Sequence, residues 1–177
     1  LAARDLLVIP HGLLHYVSFA ALHDGGDYWI ERHNLRFLPS ASVVKFLKPA
    51  RSRNLESRLV LGNPDVGDAR LDLPAAEKEA KAIGAMGARS ELLTRRSASE
   101  TSFKRLAPAF RYLHVASHGE YNAQDALRSR LLLAPDGEND GSLTTSELYA
   151  LRLDAELVTL SACETGLGAI LSGDDVV

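Results

Sequence analysis

The sequence predicts a three-layer α/β domain, a mainly parallel sheet with helices on both faces and right-handed connections. Two observations lead there. Short apolar runs of strand length alternate with segments of helical periodicity. Most of the runs close on glycine, proline, asparagine or small polar residues, the punctuation of a buried strand ending in a turn.

Leu6, Leu7, Val8 and Ile9 form the first such run, closed by Pro10, His11 and Gly12. From Tyr28 to Leu38 polar and apolar residues roughly alternate through Trp29, Ile30, Leu35 and Phe37, a strand-like pattern that Pro39 stops. Ser40 then offers an N-cap to a helix over 41–48. A second core strand, Arg58 to Gly62, ends in Gly62-Asn63-Pro64, and a helix follows from about Pro74, suited to position N1, to Gly87. In that helix Ala76, Ala80, Ile83 and Met86 recur at spacings of three or four, so one side should pack on a sheet. Glu91–Thr94, a short helix around Thr101–Leu106 and Tyr112–Ala116 continue the alternation. Leu131–Ala134 reads as a strand, Thr144 or Thr145 can cap a helix over Ser146–Leu151, and Leu157–Leu160 reads as a last buried strand. The turn from Ser161 to Gly168 is rich in small residues.

With 177 residues, 46% of them hydrophobic, the chain has the length of one ordinary domain, residues 1–177, and ample material for a core. Net charge is −3 and the basic residues are scattered, which argues against a nucleic-acid partner. No apolar run approaches the roughly 20 residues that span a bilayer, and no signal peptide opens the chain, so no membrane association is expected. A single cysteine and the absence of any Asn-x-Ser/Thr site favour a reducing, cytoplasmic setting. The chain opens on Leu1 and stops at Val177, where an apolar helical pattern is starting, so it reads as a C-terminally truncated excerpt of a longer protein.

In open α/β sheets, ligands bind beyond the carboxyl ends of the strands, where loops and helix N-termini converge. Two of the expected strand ends carry reactive side chains. His118 follows Tyr112–Ala116 and Ser117, with Gly119 behind it to let the backbone turn sharply; Cys163 follows Leu157–Leu160 and Ser161-Ala162. A cysteine attacks as thiolate, so it needs an imidazole to take its proton and backbone N–H groups to hold the oxyanion. The amides of Gly119 and Cys163, both expected in turns, are the natural donors.

These residues carry a resemblance. Ala116-Ser117-His118-Gly119 and Leu160-Ser161-Ala162-Cys163-Glu164-Thr165-Gly166 resemble the two motifs of CHAT domains, which are related to caspases and separases. Leu7–His15, Phe19–Leu22, Leu38–Ser40 and Gly173–Val177 resemble other segments of that family, so the likeness runs through nearly the whole chain. His11 departs from it, since members often carry Asp in that Pro-x-Gly turn. His118 and Cys163 are 45 residues apart, histidine first, which matches the order in caspases, where the histidine lies about 50 residues upstream. The resemblance implies a caspase-like fold and a cysteine endopeptidase acting on protein or peptide substrates, with His118 and Cys163 as the catalytic pair and no metal or organic cofactor. It also implies regulatory helical-repeat or sensor domains in the same longer chain. In such sites a backbone carbonyl, rather than a carboxylate, commonly orients the histidine. Glu164, Asp174 and Asp175 are candidates for a substrate pocket selecting a basic residue, although an acidic pair also suits a helix N-terminus.

Several blander readings stand beside these. A lone cysteine after a strand is usually inert packing, and it is the motif context that favours a nucleophile. His114 lies four residues before His118 and could share its sheet face, but a half-buried strand histidine suffices. His11, His15, His23 and His33 lack the spacing of metal ligands. Gly166-Leu167-Gly168 begins like a dinucleotide fingerprint and fails at Leu171; no phosphate-binding lysine loop or Gly-x-Ser-x-Gly elbow occurs. The remaining rival is a catalytically silent domain that keeps the fold and uses its loops for interaction.

Overall fold

The computed structural model describes residues 3–47, 57–86 and 89–162. These fall into two compact units, residues 3–47 and the remainder.

In the first unit strand β1 (Asp5–Val8) lies parallel to β2 (Asn34–Phe37), with Asp5 opposite Asn34 and Val8 opposite Phe37. The alternating pattern from Tyr28 to Leu38 is a strand only in its second half. Its first half, Trp29–Arg32, is a single helical turn, α1. The Glu31 carboxylate accepts the Tyr28 amide at 2.7 Å, and Arg32 reaches Asp24 and Asp27 at 2.8 Å each, so local polar pairing outweighs a period of two. The segment after Pro39 is a 3-10 helix, Ala41–Phe46, rather than an α-helix; the Ser40 hydroxyl caps it as expected, accepting the Ser42 amide at 3.3 Å.

The second unit is built on β3 (Ser57–Pro64), α2 (Pro74–Gly84), β4 (Arg89–Arg95), α3 (Glu100–Leu106), β5 (Tyr112–Ala116), β6 (His118–Glu120), β7 (Arg130–Leu132), β8 (Ser142–Thr144), α4 (Thr145–Ala150) and β9 (Leu157–Ser161). Four strands make a parallel sheet in the order β4-β3-β5-β9. The chain steps from β3 outward to β4 through α2, then back across β3 to β5 through α3. Reversing the direction of travel while keeping one handedness puts successive helices on opposite faces.

Side-chain alternation shows both faces in use. Leu59 and Leu61 on β3, Leu93 on β4, and Leu113 and Val115 on β5 join Phe103 and Ala107 in one buried cluster on the α3 side. Each fully buried leucine or valine there contributes about 1.5–3 kcal/mol of apolar transfer. On the other face Gly62 lies against α2: a Cβ built on it would stand 2.3 Å from the Ala80 Cβ and 2.8 Å from the Ala76 carbonyl oxygen. Only glycine permits that approach. The expected three layers, α/β/α around a mainly parallel sheet, are therefore observed.

Strand 131–134 differs from the parallel pattern. β6, β7 and β8 form a separate antiparallel sheet, which adds Leu131, Leu133 and Leu143 to the same core cluster. The connections, 121–129 and 133–141, are nine residues each, which suits antiparallel pairing because a parallel crossover needs a dozen or more residues.

Candidate active site

The sheet reverses its winding between β3 and β5, and in such sheets the ligand crevice opens at the carboxyl ends of the strands flanking that point. β3 ends there on Gly62-Asn63-Pro64 and β5 on Ala116, followed by Ser117 and His118.

His118 is half-buried, and its Nε2 lies 3.0 Å from the carbonyl oxygen of Leu71. A carbonyl oxygen only accepts, so in the neutral ring Nε2 carries the hydrogen and Nδ1 keeps the lone pair. In that tautomer Nδ1 is the nitrogen able to accept a proton. The family resemblance implied a backbone-carbonyl partner without naming it; the fold supplies Leu71, 47 residues away along the chain.

Leu71 closes a 3-10 turn, Ala69–Leu71, capped by the Asp68 carboxylate, which accepts the Arg70 amide at 2.9 Å. The segment after it is held by Asn63. The Asn63 Nδ2 donates to the Asp72 carboxylate at 3.0 Å and to Glu77 at 3.3 Å, while its Oδ1 accepts the Leu73 amide at 2.8 Å. Asn63 is the extra residue where the β3–β4 register shifts between Gly62 and Pro64; its φ is +50° and it is 1% exposed. Arg95, the last residue of β4 and also left-handed at φ +55°, donates its guanidinium to Asp72. Asp72 is accordingly held below the usual carboxylate range, chiefly by the Arg95 hydrogen bond and then by Asn63. Sequence reasoning missed Asn63, Leu71, Asp72 and Arg95 as a group. The available signal was Gly62-Asn63-Pro64, since asparagine is among the few side chains that tolerate positive φ.

Gly119 does not sit in a turn as expected. It is the central residue of β6, opposite Leu131 of β7. The ladder nevertheless leaves its amide free of β7. Leu133 donates to the Gly141 carbonyl at 2.7 Å, and the amides of Ser142 and Thr144 are taken by the side chains of Asp140 and Glu147. The backbone-bonded pair between β7 and β8 is therefore Leu131 with Leu143, so Leu131 turns both its polar groups toward β8. Gly119 opposite it occupies a non-hydrogen-bonded position, its N–H directed away from β7.

β9 brings the second motif alongside. It pairs in parallel with β5, Ala116 opposite Ser161, and the Ser117 amide donates to the Ser161 carbonyl at 3.3 Å. Paired residues along this ladder are 45 apart, the same separation as His118 and Cys163. Cys163, Glu164, Asp174 and Asp175 lie outside the described residues.

His114 does not share a sheet with His118. It stands on β5 facing α2, its Nε2 2.9 Å from Glu79, whose other carboxylate oxygen accepts the Ser161 hydroxyl at 3.3 Å. A polar cavity of about 680 Å³ opens beside β6–β8; of its carboxylates, Glu120 pairs with Arg130, and Glu100 and Glu147 with Lys104. Among the described residues no cluster of three or more His, Cys, Asp or Glu is placed to hold a metal ion, and no helix is long and apolar enough to cross a membrane.

The mainly parallel sheet with helices on both faces is compatible with a caspase-like α/β fold. Comparison with curated proteins finds no match. The chain belongs to the CHAT domain family, a caspase-like peptidase family whose model matches residues 1–177, its whole length.

Proposed function

We propose that the domain is a cysteine endopeptidase in which His118 and Cys163 form the catalytic pair. The observation that carries this reading is the His118–Leu71 hydrogen bond, which in the neutral ring leaves the lone pair on Nδ1, just beyond the end of the strand that pairs with the one leading to Cys163.

Nδ1 of His118 takes the thiol proton of Cys163, and the thiolate attacks the carbonyl carbon of the scissile peptide bond. The oxyanion is held by the amides of Gly119 and Cys163. The C–N bond then breaks as the His118 imidazolium returns its proton to the leaving amine. Water, deprotonated by the same Nδ1, cleaves the resulting thioester, releasing the acid and restoring the thiol. The Leu71 carbonyl stabilises the imidazolium of each half-reaction without changing its own protonation. Glu164, Asp174 and Asp175 are assigned to the substrate pocket, where their charge favours a basic residue at the cleavage site. Helical-repeat or sensor domains of a longer chain are the proposed regulators.

The test is intact-protein mass spectrometry after exposure to a library of peptidyl acyloxymethyl ketones. Wild type is expected to gain one adduct at Cys163, Cys163→Ala none, and His118→Ala to react about 10²- to 10⁴-fold more slowly, the usual contribution of a positioned base. Equal labelling of wild type and His118→Ala would remove the dyad. No labelling of wild type under any regulatory condition would leave the silent interaction domain.

A further inference from the structure

The catalytic pair leaves the most deeply buried polar side chain near the site without a function. Asn63 spends all of its hydrogen-bonding groups on the segment that follows Leu71: both Nδ2 hydrogens on the carboxylates of Asp72 and Glu77, and Oδ1 on the Leu73 amide. It does so from a φ of +50°, a conformation glycine adopts more readily, so the side chain is what asparagine adds at this position.

The Leu71 carbonyl and the Asp72 amide are one planar peptide unit, and whatever fixes that plane fixes the direction in which the carbonyl oxygen points. The plane is held at three places. The Asp72 amide donates to the Ala69 carbonyl at 3.3 Å; the Asp72 carboxylate takes Asn63 from β3 and Arg95 from β4; and the Leu73 amide is bound to Asn63. The ends of two strands thereby clamp the peptide that the histidine at the end of the third uses as its partner.

We infer that Asn63, with Asp72 and Arg95, is a positioning device for the base: it orients the Leu71 carbonyl so that His118 is held as the Nε2–H tautomer with Nδ1 free. The inference deepens the peptidase reading and relies on it only for the effect on rate. The tautomer itself is a property of the folded chain.

The experiment uses the full chain labelled with ¹⁵N-histidine, at about pH 8.5, where an ordinary imidazole is neutral. Wild type should show His118 with a pyrrole-type Nε2 and a pyridine-type Nδ1. Asn63→Gly keeps the left-handed backbone while deleting the clamp. It should give a mixture of tautomers and slow Cys163 labelling by peptidyl acyloxymethyl ketones by about 10- to 100-fold, the usual effect of a small misplacement in a catalytic group. Asp72→Ala alters a side chain 42% exposed, leaves the core intact, and should shift both readouts in the same direction. Phe103→Leu, a core substitution remote from the clamp, should lower the melting temperature with wild-type tautomer and labelling rate. Wild-type histidine signals in folded Asn63→Gly or in Asp72→Ala would overturn the inference, as would the same tautomer mixing in Phe103→Leu. Tautomer mixing in a protein whose Cys163 never labels would uphold the clamp and remove the peptidase. Normal labelling with an unmoved tautomer would do the reverse.

Discussion

Gly62→Ala tests the contact on which the site's framework rests. Gly62 is opposite Thr94 on β4 and Ala116 on β5, at the centre of the sheet and one residue before the clamp. The added methyl would stand 2.3 Å from the Ala80 Cβ and 2.8 Å from the Ala76 carbonyl oxygen, against an optimal carbon–carbon separation of about 3.5–4.0 Å. Neither neighbour is the end of a flexible side chain, so α2 as a whole must lift from β3 by more than about 1 Å. Ala80, 0% exposed between α2 and the sheet, would lose its close contact with β3. Overpacking of this kind costs about 3 kcal/mol, which for a chain of this size lowers the melting temperature by about 6–12 °C. Thermal and urea unfolding followed by circular dichroism reads the change. Ala80→Gly removes the nearer obstacle and leaves the carbonyl, so the double variant should recover about 1 kcal/mol in a mutant cycle, even though Ala80→Gly alone costs about as much in helix propensity. A melting temperature unaltered by Gly62→Ala, or a cycle without favourable coupling, would refute the packing argument.

Phe103→Ala should cost about 3–5 kcal/mol, because this ring is 2% exposed and fills the space where α3 meets both sheets; loss of cooperative unfolding in urea is the readout, and a shift under about 1 kcal/mol would contradict it. Acid should act on the cap of α4. Glu147 is held down to about 2 by Lys104 first, then by the Thr144 hydroxyl and amide. A depressed folded value means stabilisation that is present above the unfolded value of 4.5 and lost as pH falls from there toward about 2. The Glu147 side chain is 38% exposed, so screening reduces the effect to about 1 kcal/mol. Urea unfolding of wild type and Glu147→Gln, compared at pH values spanning that window, should show the wild type's advantage disappearing; a constant difference would remove the assignment.

Much of the framework was legible from local pattern. The apolar runs at 58–62 and 112–116, the amphipathic helix from Pro74 and the caps at Ser40 and Thr144 all depend on neighbours within a few residues, and all appear in the structure. The run at 157–160 is a strand as expected, but its residues are exposed rather than buried, because burial depends on what packs over a strand and not on its own apolar composition. His118 was visible as a reactive side chain directly beyond a strand. The period-two reading of 28–33 failed because Glu31 and Arg32 satisfy a helical turn locally, a choice that hydrophobic alternation does not register. Gly119 was misplaced for a different reason. Whether a glycine turns or pairs depends on Leu131 and Leu143, which reach it only through two hairpin-like returns of the chain.

By itself the sequence determined the α/β class, the strand that leads to His118 and the position of Cys163 along the chain, because strand and helix periods and a two-motif spacing are written in consecutive residues; that His118 itself opens a short antiparallel strand, β6, was not among them. Only the tertiary structure decided which carbonyl orients the histidine, which nitrogen is left as the base, and which side chains clamp that carbonyl. Those outcomes bring together residues 63, 71–73, 95 and 118, and such convergence is set by strand order, a property of the packed sheet to which no local pattern in the chain corresponds.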